Sequence, residues 1–238
     1  MSENRKFSVL MSVYVKENPA FLEEAVESII HQTLKPSEVV IVEDGPLTPE
    51  LYQVLEKLEA QSSIPIKRCP LEQNRGLGLA LQYGVLQCQY GVIARMDTDD
   101  IAVEDRFEQQ FELMEKENLD LLGGHIAEFI DRPDEIVSYR RVPIKHEDIV
   151  VYQRMRSAFN HMTVMFKKEM VLKAGNYEDG LYMEDDLLWL NMISAGARTG
   201  NVDQILCKVR VGAGMFERRG GLRYLKLYRQ ARKRMQAR

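Results

Sequence analysis

The sequence predicts an α/β protein built on a mainly parallel sheet flanked by helices. Three observations carry that expectation. Apolar runs alternate with amphipathic stretches of helical period from Phe7 onward, which implies right-handed crossovers between parallel strands. The strand-like runs are apolar on both faces, as strands covered by helices on two sides are. Polar and acidic residues gather where those runs end, the place where open α/β sheets bind ligands.

Residues 7–15 (FSVLMSVYV) are a β-branched, apolar run and give a first strand, broken at Asn18-Pro19. Helical spacing follows over 21–33, with Phe21, Leu22, Ala25, Val26, Ile29 and Ile30 on one side. Pro36 separates this helix from a second strand, 38–42 (EVVIV), which ends in the polar turn Glu43-Asp44-Gly45-Pro46. A second helix, 49–61, aligns Leu51, Val54, Leu55 and Leu58, and a short third strand covers 64–68. Asn74-Arg75-Gly76-Leu77-Gly78 then opens a helix reaching about Gln89. Its glycine pair lacks the GxGxxG spacing of a dinucleotide loop. A fourth strand, 91–94, runs into Arg95-Met96-Asp97-Thr98-Asp99-Asp100. Beyond it come a helix over 104–117, a strand over 119–129 with a Gly-Gly break, and a polar loop over 131–150 with a short helix start. A strand over 160–166 would put His161 and Thr163 on one face. A short helix over 167–174 stops at Gly175, and a last one over 186–195 is opened by Tyr182-Met183-Glu184-Asp185-Asp186 and stopped by Gly196.

At 238 residues the chain divides into a domain over 1–215, with halves 1–100 and 101–215, and a tail over 216–238. No run of about 18 apolar residues predicts a membrane span, and MSENRKF leads straight into a strand without a signal-peptide layout. Cys69, Cys88 and Cys207 are scattered and lack CxxC spacing, which argues against a disulfide framework or zinc site and for a reducing, cytoplasmic setting. Charge is uneven. Residues 218–238 hold nine basic side chains and no acid, so residues 1–217 carry a formal −13 within a chain of −4. Leu222, Leu225, Tyr228 and Met235 fall near one face of a helix over 220–235, a basic amphipathic pattern suited to an anionic membrane surface. Packing of that helix on the acidic body is the alternative. Nucleic acid is disfavoured, since the body is acidic and has no basic face with aromatics.

Asp97 and Asp99 project to one side if strand geometry persists, and Asp100 lies beside them. Such carboxylates repel one another unless a cation compensates. Hard oxygen donors suit Mg²⁺ or Mn²⁺, which protein carboxylates commonly share with substrate phosphates. The competing reading is a helix cap by Asp99 or Asp100. Ser12 and Tyr14, the 43–45 turn and residues 97–100 converge on one rim if the parallel sheet is right.

With these residues assembled, the chain resembles the family 2 glycosyltransferases, inverting nucleotide-sugar enzymes of the Rossmann-like GT-A fold. The likeness runs from Phe7 to about Gly212 and rests on five stretches in order: SVLMSVY, QTLKPSEVVIVEDG, EQNRGLGLALQYGV, ARMDTDD and MEDDLLWLNMISAG. It is closer to bacterial enzymes that build capsular, exopolysaccharide or O-antigen units. The resemblance implies that Asp44 accepts a hydrogen bond from uracil, with Tyr14 stacking on the base, Ser12 lining the pocket and Arg75 meeting base or phosphate. Ordinary strand, turn and helix-start roles for these residues compete with that. Asp97 and Asp99 would form the DxD, Asp99 ligating Mn²⁺ or Mg²⁺ and Asp97 serving sugar or ribose hydroxyls as well as the metal site. Arg95 would lock a neighbouring carboxylate or pair with Asp105. Asp185 would be the catalytic base, with Glu184 orienting it or contacting the acceptor, against a plain capping role for both. The helix dipole would favour their ionised form. His161 is a phosphate or acceptor contact, or a packing histidine. The partners implied are a UDP-sugar donor and a polyprenyl-linked glycan acceptor at the inner face of the plasma membrane. Two departures stand out: Glu43-Asp44 replaces a double aspartate, and no histidine follows Gly200. The rival functions are a nucleotidyltransferase, whose glycine-rich phosphate loop is missing from Val15-Lys16-Glu17-Asn18-Pro19, and a non-catalytic nucleotide-sugar-binding module.

Overall fold

The computed structural model describes residues 5–179 and 183–212, so the basic helix expected over 216–238 lies outside the described residues, as does Tyr182. Among the described residues, nine strands form one sheet. Its parallel half comprises β1 (Ser8–Val13), β2 (Glu38–Glu43), β3 (Ile66–Pro70) and β4 (Val92–Arg95), in spatial order β3-β2-β1-β4. Helices α1 (Pro19–Ile30), α2 (Pro49–Gln61) and α3 (Leu77–Gln87) make the crossovers. Asn18 caps α1 through the Ala20 N–H and Thr48 caps α2 through the Leu51 N–H, each followed by proline at the first helical turn.

Strand alternation sorts this half into three layers. Val9, Met11, Val13, Val39, Ile41 and Ala94 face α1, α2 and the helix α4 (Arg106–Glu117). Leu10, Val40, Val42 and Ile93 face α3 and the helix α7 (Glu184–Ser194). Gly84 of α3 is the closest approach of helix to sheet: a Cβ there would lie 2.4 Å from Leu10 Cδ1 and 2.8 Å from Val42 Cγ2. Gly84→Ala should therefore lower stability by about 1–3 kcal/mol through overpacking, despite alanine's better helix propensity. Denaturant unfolding checks this; a variant as stable as the parent would contradict the packing described.

The second half is mixed. β6 (Leu121–Phe129) pairs antiparallel with β8 (Met165–Lys167), which joins it to β4, and parallel with β9 (Thr199–Arg210); β5 (Ile101–Ala102) closes the far edge and β7 (Ile136–Arg140) flanks β6. α5 (His146–Gln153) and α6 (Lys168–Lys173) complete it. One sheet thus runs through both halves of the expected domain. Among the described residues, no helix is long and apolar enough to cross a membrane.

Three expectations change here. The strand expected over 160–166 is a 3-10 turn, His161–Thr163, followed by the short β8. Thr163 Oγ1 and N–H both donate to the Asn160 carbonyl (2.8 and 2.9 Å), and Asn160 Nδ2 donates to the Gly124 carbonyl (2.8 Å). These side-chain bonds compete with a ladder, and His161 and Thr163 do not share a strand face. β6 passes through Gly123-Gly124 without a break. The loop expected over 131–150 holds the strand β7, ahead of the helix start expected there, which is α5.

Candidate active site

Asp44 follows β2 at the sheet's carboxyl rim and is buried. Its Oδ1 accepts the Arg75 N–H at 2.7 Å and its Oδ2 the Gly76 N–H at 3.0 Å, while Asn74 Nδ2 donates to its carbonyl at 3.1 Å. Gly76 opens α3 with no side chain of its own to cap it, so Asp44 supplies the acceptor from a distant loop. Gly45 has φ +85, and a Cβ there would fall 2.5 Å from the Asn74 nitrogen. The turn and the head of α3 are thus one unit. Arg75 is exposed and contributes its backbone to this unit. Ser12 and Tyr14 are half-buried at the end of β1, and the Ser12 carbonyl lies 3.5 Å from Thr98 Oγ1.

Asp97, Asp99 and Asp100 offer carboxylate oxygens that all lie within 4.8 Å of one another. Arg95 Nη2 donates to Asp97 Oδ1, and Thr98 Oγ1 donates to Glu17 Oε2 at 2.5 Å. Asp100 Oδ1 accepts the Arg210 N–H at 3.0 Å, which ties the end of β9 to the cluster. Burial, then the charges of Asp97 and Glu17, push the Asp99 carboxyl up to about 7. Burial with Asp97 and Asp99 raises Asp100 well above the usual range. This repulsion and the all-oxygen donor set fit a hard divalent cation, which would relieve it. Asp97 and Asp99 come together as expected. Asp100 completes the set, and the residue adjacent to the DxD was the available signal for it.

Glu184 and Asp185 open α7. The loop before them is fastened to α3: Gln82 Nε2 donates to the Tyr177 carbonyl (2.6 Å) and Asn176 Nδ2 to the Gln82 carbonyl (3.0 Å). A Cβ on Gly78 would meet Glu178 O at 2.5 Å and Glu184 Cβ at 3.0 Å, so α3 and the head of α7 touch. Burial, then Asp186 and Glu184, raise the Asp185 carboxyl to about 7, and burial also raises Glu184. That reverses the sign expected from the helix dipole: removal from water and like charge outweigh it. A carboxyl poised near neutral pH results, the range that general-base chemistry requires.

His161 sits beside this helix. Its Nε2 is 3.0 Å from the Tyr177 hydroxyl and its ring stands edge-on to Trp189 at 5.8 Å between centroids. Burial, reinforced by Arg95, holds its pKa well below the usual value, so it offers no cation to a phosphate. Glu17 and Tyr177 have partners on other elements, and nothing local in the sequence marks them. Gly78 stands out in the sequence only as half of a glycine pair; its contact with the head of α7 does not.

The electrostatics join these pieces. Asp97 acts on Glu184, and Arg95 acts on Asp99, Glu184 and Asp185 together. Asp44 reaches the same place through Gly76 and Gly78.

Comparisons with known proteins give the family and the fold. The model for "Glycosyl transferase family 2" matches residues 8–173. A Haemophilus influenzae protein named an uncharacterized glycosyltransferase is 46% identical over 93% of this chain and 82% of its own length. The amylovoran biosynthesis glycosyltransferase AmsE of Erwinia amylovora is 42% identical over 92% and 82%. The UDP-Gal:alpha-D-GlcNAc-diphosphoundecaprenol beta-1,3-galactosyltransferase of Escherichia coli is 38% identical over 92% and 79%. In structure, S. aureus TarS (residues 1–349) in complex with UDP-GlcNAc superposes with a TM-score of 0.73 at 17% identity, covering 95% of this chain and 65% of that one. A Pyrobaculum calidifontis mannosyltransferase in complex with GDP-Man and Mn²⁺ gives 0.66 at 16%, over 87% and 57%. The fold is that of the GT-A enzymes. The chain is a glycosyltransferase and belongs to glycosyl transferase family 2.

Proposed function

We propose that this enzyme transfers a sugar, with inversion, from a UDP-sugar to a lipid-linked glycan during assembly of a bacterial surface polysaccharide. The observation that carries the reading is the gathering of the Asp44 unit, the acidic cluster and the Glu184-Asp185 helix start at one rim of the sheet. Asp44, with Ser12, Tyr14 and Arg75 around it, would take the uridine. Asp97, Asp99 and Asp100 would hold Mn²⁺ or Mg²⁺, which when bound neutralises charge on the diphosphate. Asp185 accepts the proton of the acceptor hydroxyl as its oxygen bonds the anomeric carbon. The bond from that carbon to the diphosphate breaks, UDP departs, and the anomeric configuration inverts. Glu184, next to Asp185, keeps the acceptor side acidic and raises the base. The names of the Erwinia and Escherichia relatives support the polysaccharide setting and a polyprenyl diphosphate acceptor.

The test is UDP release from a panel of UDP-sugars, with and without a GlcNAc-diphosphate-lipid acceptor, followed by NMR of the product's anomeric proton. Acceptor-dependent release with an inverted linkage is expected. Release by hydrolysis alone, or a retained configuration, would contradict the reading.

A cytoplasmic enzyme acting on a lipid-borne sugar works at the inner membrane face, and the nine basic residues of 218–238 supply an attraction to anionic lipid. Deleting 218–238 should abolish co-sedimentation with vesicles rich in phosphatidylglycerol. Undiminished binding would defeat this role for the tail.

A further inference from the structure

Arg95 ends β4, and alternation sets its side chain on the same face as Ile93, toward Tyr177, Leu188 and Trp189, while Ala94 and Met96 face the other core. The guanidinium therefore leaves the sheet on the α7 side. It is 2% exposed. Nη2 is spent on Asp97, but Nε and Nη1 have no hydrogen-bond partner among the described residues. Buried donors are rarely left so, because each orphan is costly. The residue's backbone is fixed from the opposite face: Arg106 Nη2 donates to the Arg95 carbonyl at 2.7 Å, and the Arg95 N–H donates to the Val164 carbonyl at 2.9 Å. A guanidinium keeps its charge in a protein, and here it is paired with Asp97. Its positive charge acts on Glu184 and Asp185 at the head of α7.

We infer that Arg95 is a positioning residue for transfer, tying the acidic cluster after β4 to the acid pair that opens α7. Nη2 fixes Asp97, and Nε and Nη1 are held for the α7 carboxylates when the cleft is filled. The inference rests on the glycosyltransfer reading. Among the described residues, Asp186 and Glu184 beside it and Arg95 across from it act on Asp185. From the helices packed on α7, α5 presents the neutral Gln153 to Asp186, α3 presents Gly78, and α6 presents Lys173 at the far end, on the Ala195 carbonyl.

The experiment uses the full chain with Arg95→Met, which keeps bulk, and Arg95→Lys, which keeps charge. Carboxyl-carbon NMR, with the Asp185 signal assigned by its loss in Asp185→Asn, reads the base directly. Arg95→Met should raise the apparent pKa of Asp185 by about one unit and Arg95→Lys should leave it near the parent value. Where acceptor-dependent transfer is measured, Arg95→Met should lower kcat roughly 10–100-fold with KM for the UDP-sugar little changed. An unmoved Asp185 signal in a folded Arg95→Met protein overturns the inference whether or not the parent turns over. A parent that lacks transfer while the signal moves refutes the glycosyltransfer reading instead. Should Arg95→Met not fold, Arg95→Gln takes its place under the same criteria.

Discussion

Asp185→Asn should lower kcat by about 10³-fold while leaving UDP affinity within about threefold, since loss of a positioned general base commonly removes 10²–10⁴. The substitution preserves shape and cannot accept a proton. Because the parent carboxyl sits near 7, pushed there by burial, Asp186 and Glu184, the parent's kcat should climb as pH rises through about 7. The variant's residual rate should lack that limb. Stability moves the other way. A carboxyl whose folded pKa lies above its unfolded value of about 3.9 contributes stability fully below the unfolded pKa and loses it as pH rises through the folded one. Above pH 7 the asparagine variant should therefore be more stable than its parent, by about 1–2 kcal/mol after allowing for partial exposure. Steady-state kinetics, calorimetric UDP titration and denaturant unfolding at pH 8 check the three parts. Undiminished transfer would remove Asp185 from the base role and leave Glu184 as the candidate.

Asp99→Ala should remove metal-dependent UDP binding, weakening it by about 100-fold or more in the presence of Mn²⁺, given that even outer-shell partners of a metal are worth 10–100-fold. In the free protein Asp99 is held near 7 by burial and by Asp97 and Glu17, so it is half-protonated at neutral pH and must shed that proton to ligate. Mn²⁺-dependent UDP affinity in the parent should accordingly rise between pH 6 and 8. With Asp99 gone, Asp97 still has one oxygen paired with Arg95 and Asp100 one oxygen on the Arg210 N–H, so the cluster offers an ion one carboxylate fewer and less negative charge. Isothermal titration of UDP with Mn²⁺ and with EDTA measures the difference. Equal affinity in parent and variant would place the ion elsewhere.

The parallel half of the sheet was legible because its cause is local. β1 and β2 are apolar at successive positions, and α1 and α2 carry their own caps and prolines. The second half depends on distant partners. β9 is interrupted by exposed Asp203 and Gln204, where its register against β6 shifts at His125, so no period announces it. β7 is an edge strand with exposed Val137, Ser138 and Tyr139, which looks like loop until β6 is beside it. At the site, residue types and order named the acids, but their ionisation was misjudged for α7. Depth of burial decides that, and burial is a property of the packed chain. Arg95 read as a neighbour of Asp97; that its charge also reaches α7 follows from alternation on β4 and the docking of α7 against α3.

In the proposed enzyme one cleft at the strand ends holds the ion, the diphosphate and the base together. The direct measurement is a crystal structure of the chain with UDP and Mn²⁺, with the metal located by its anomalous scattering. The peak should lie among Asp97, Asp99 and the diphosphate, with uracil against Asp44 and Asp185 facing the same cavity. A peak away from the aspartates, or uracil and Asp185 on separate surfaces, would contradict it.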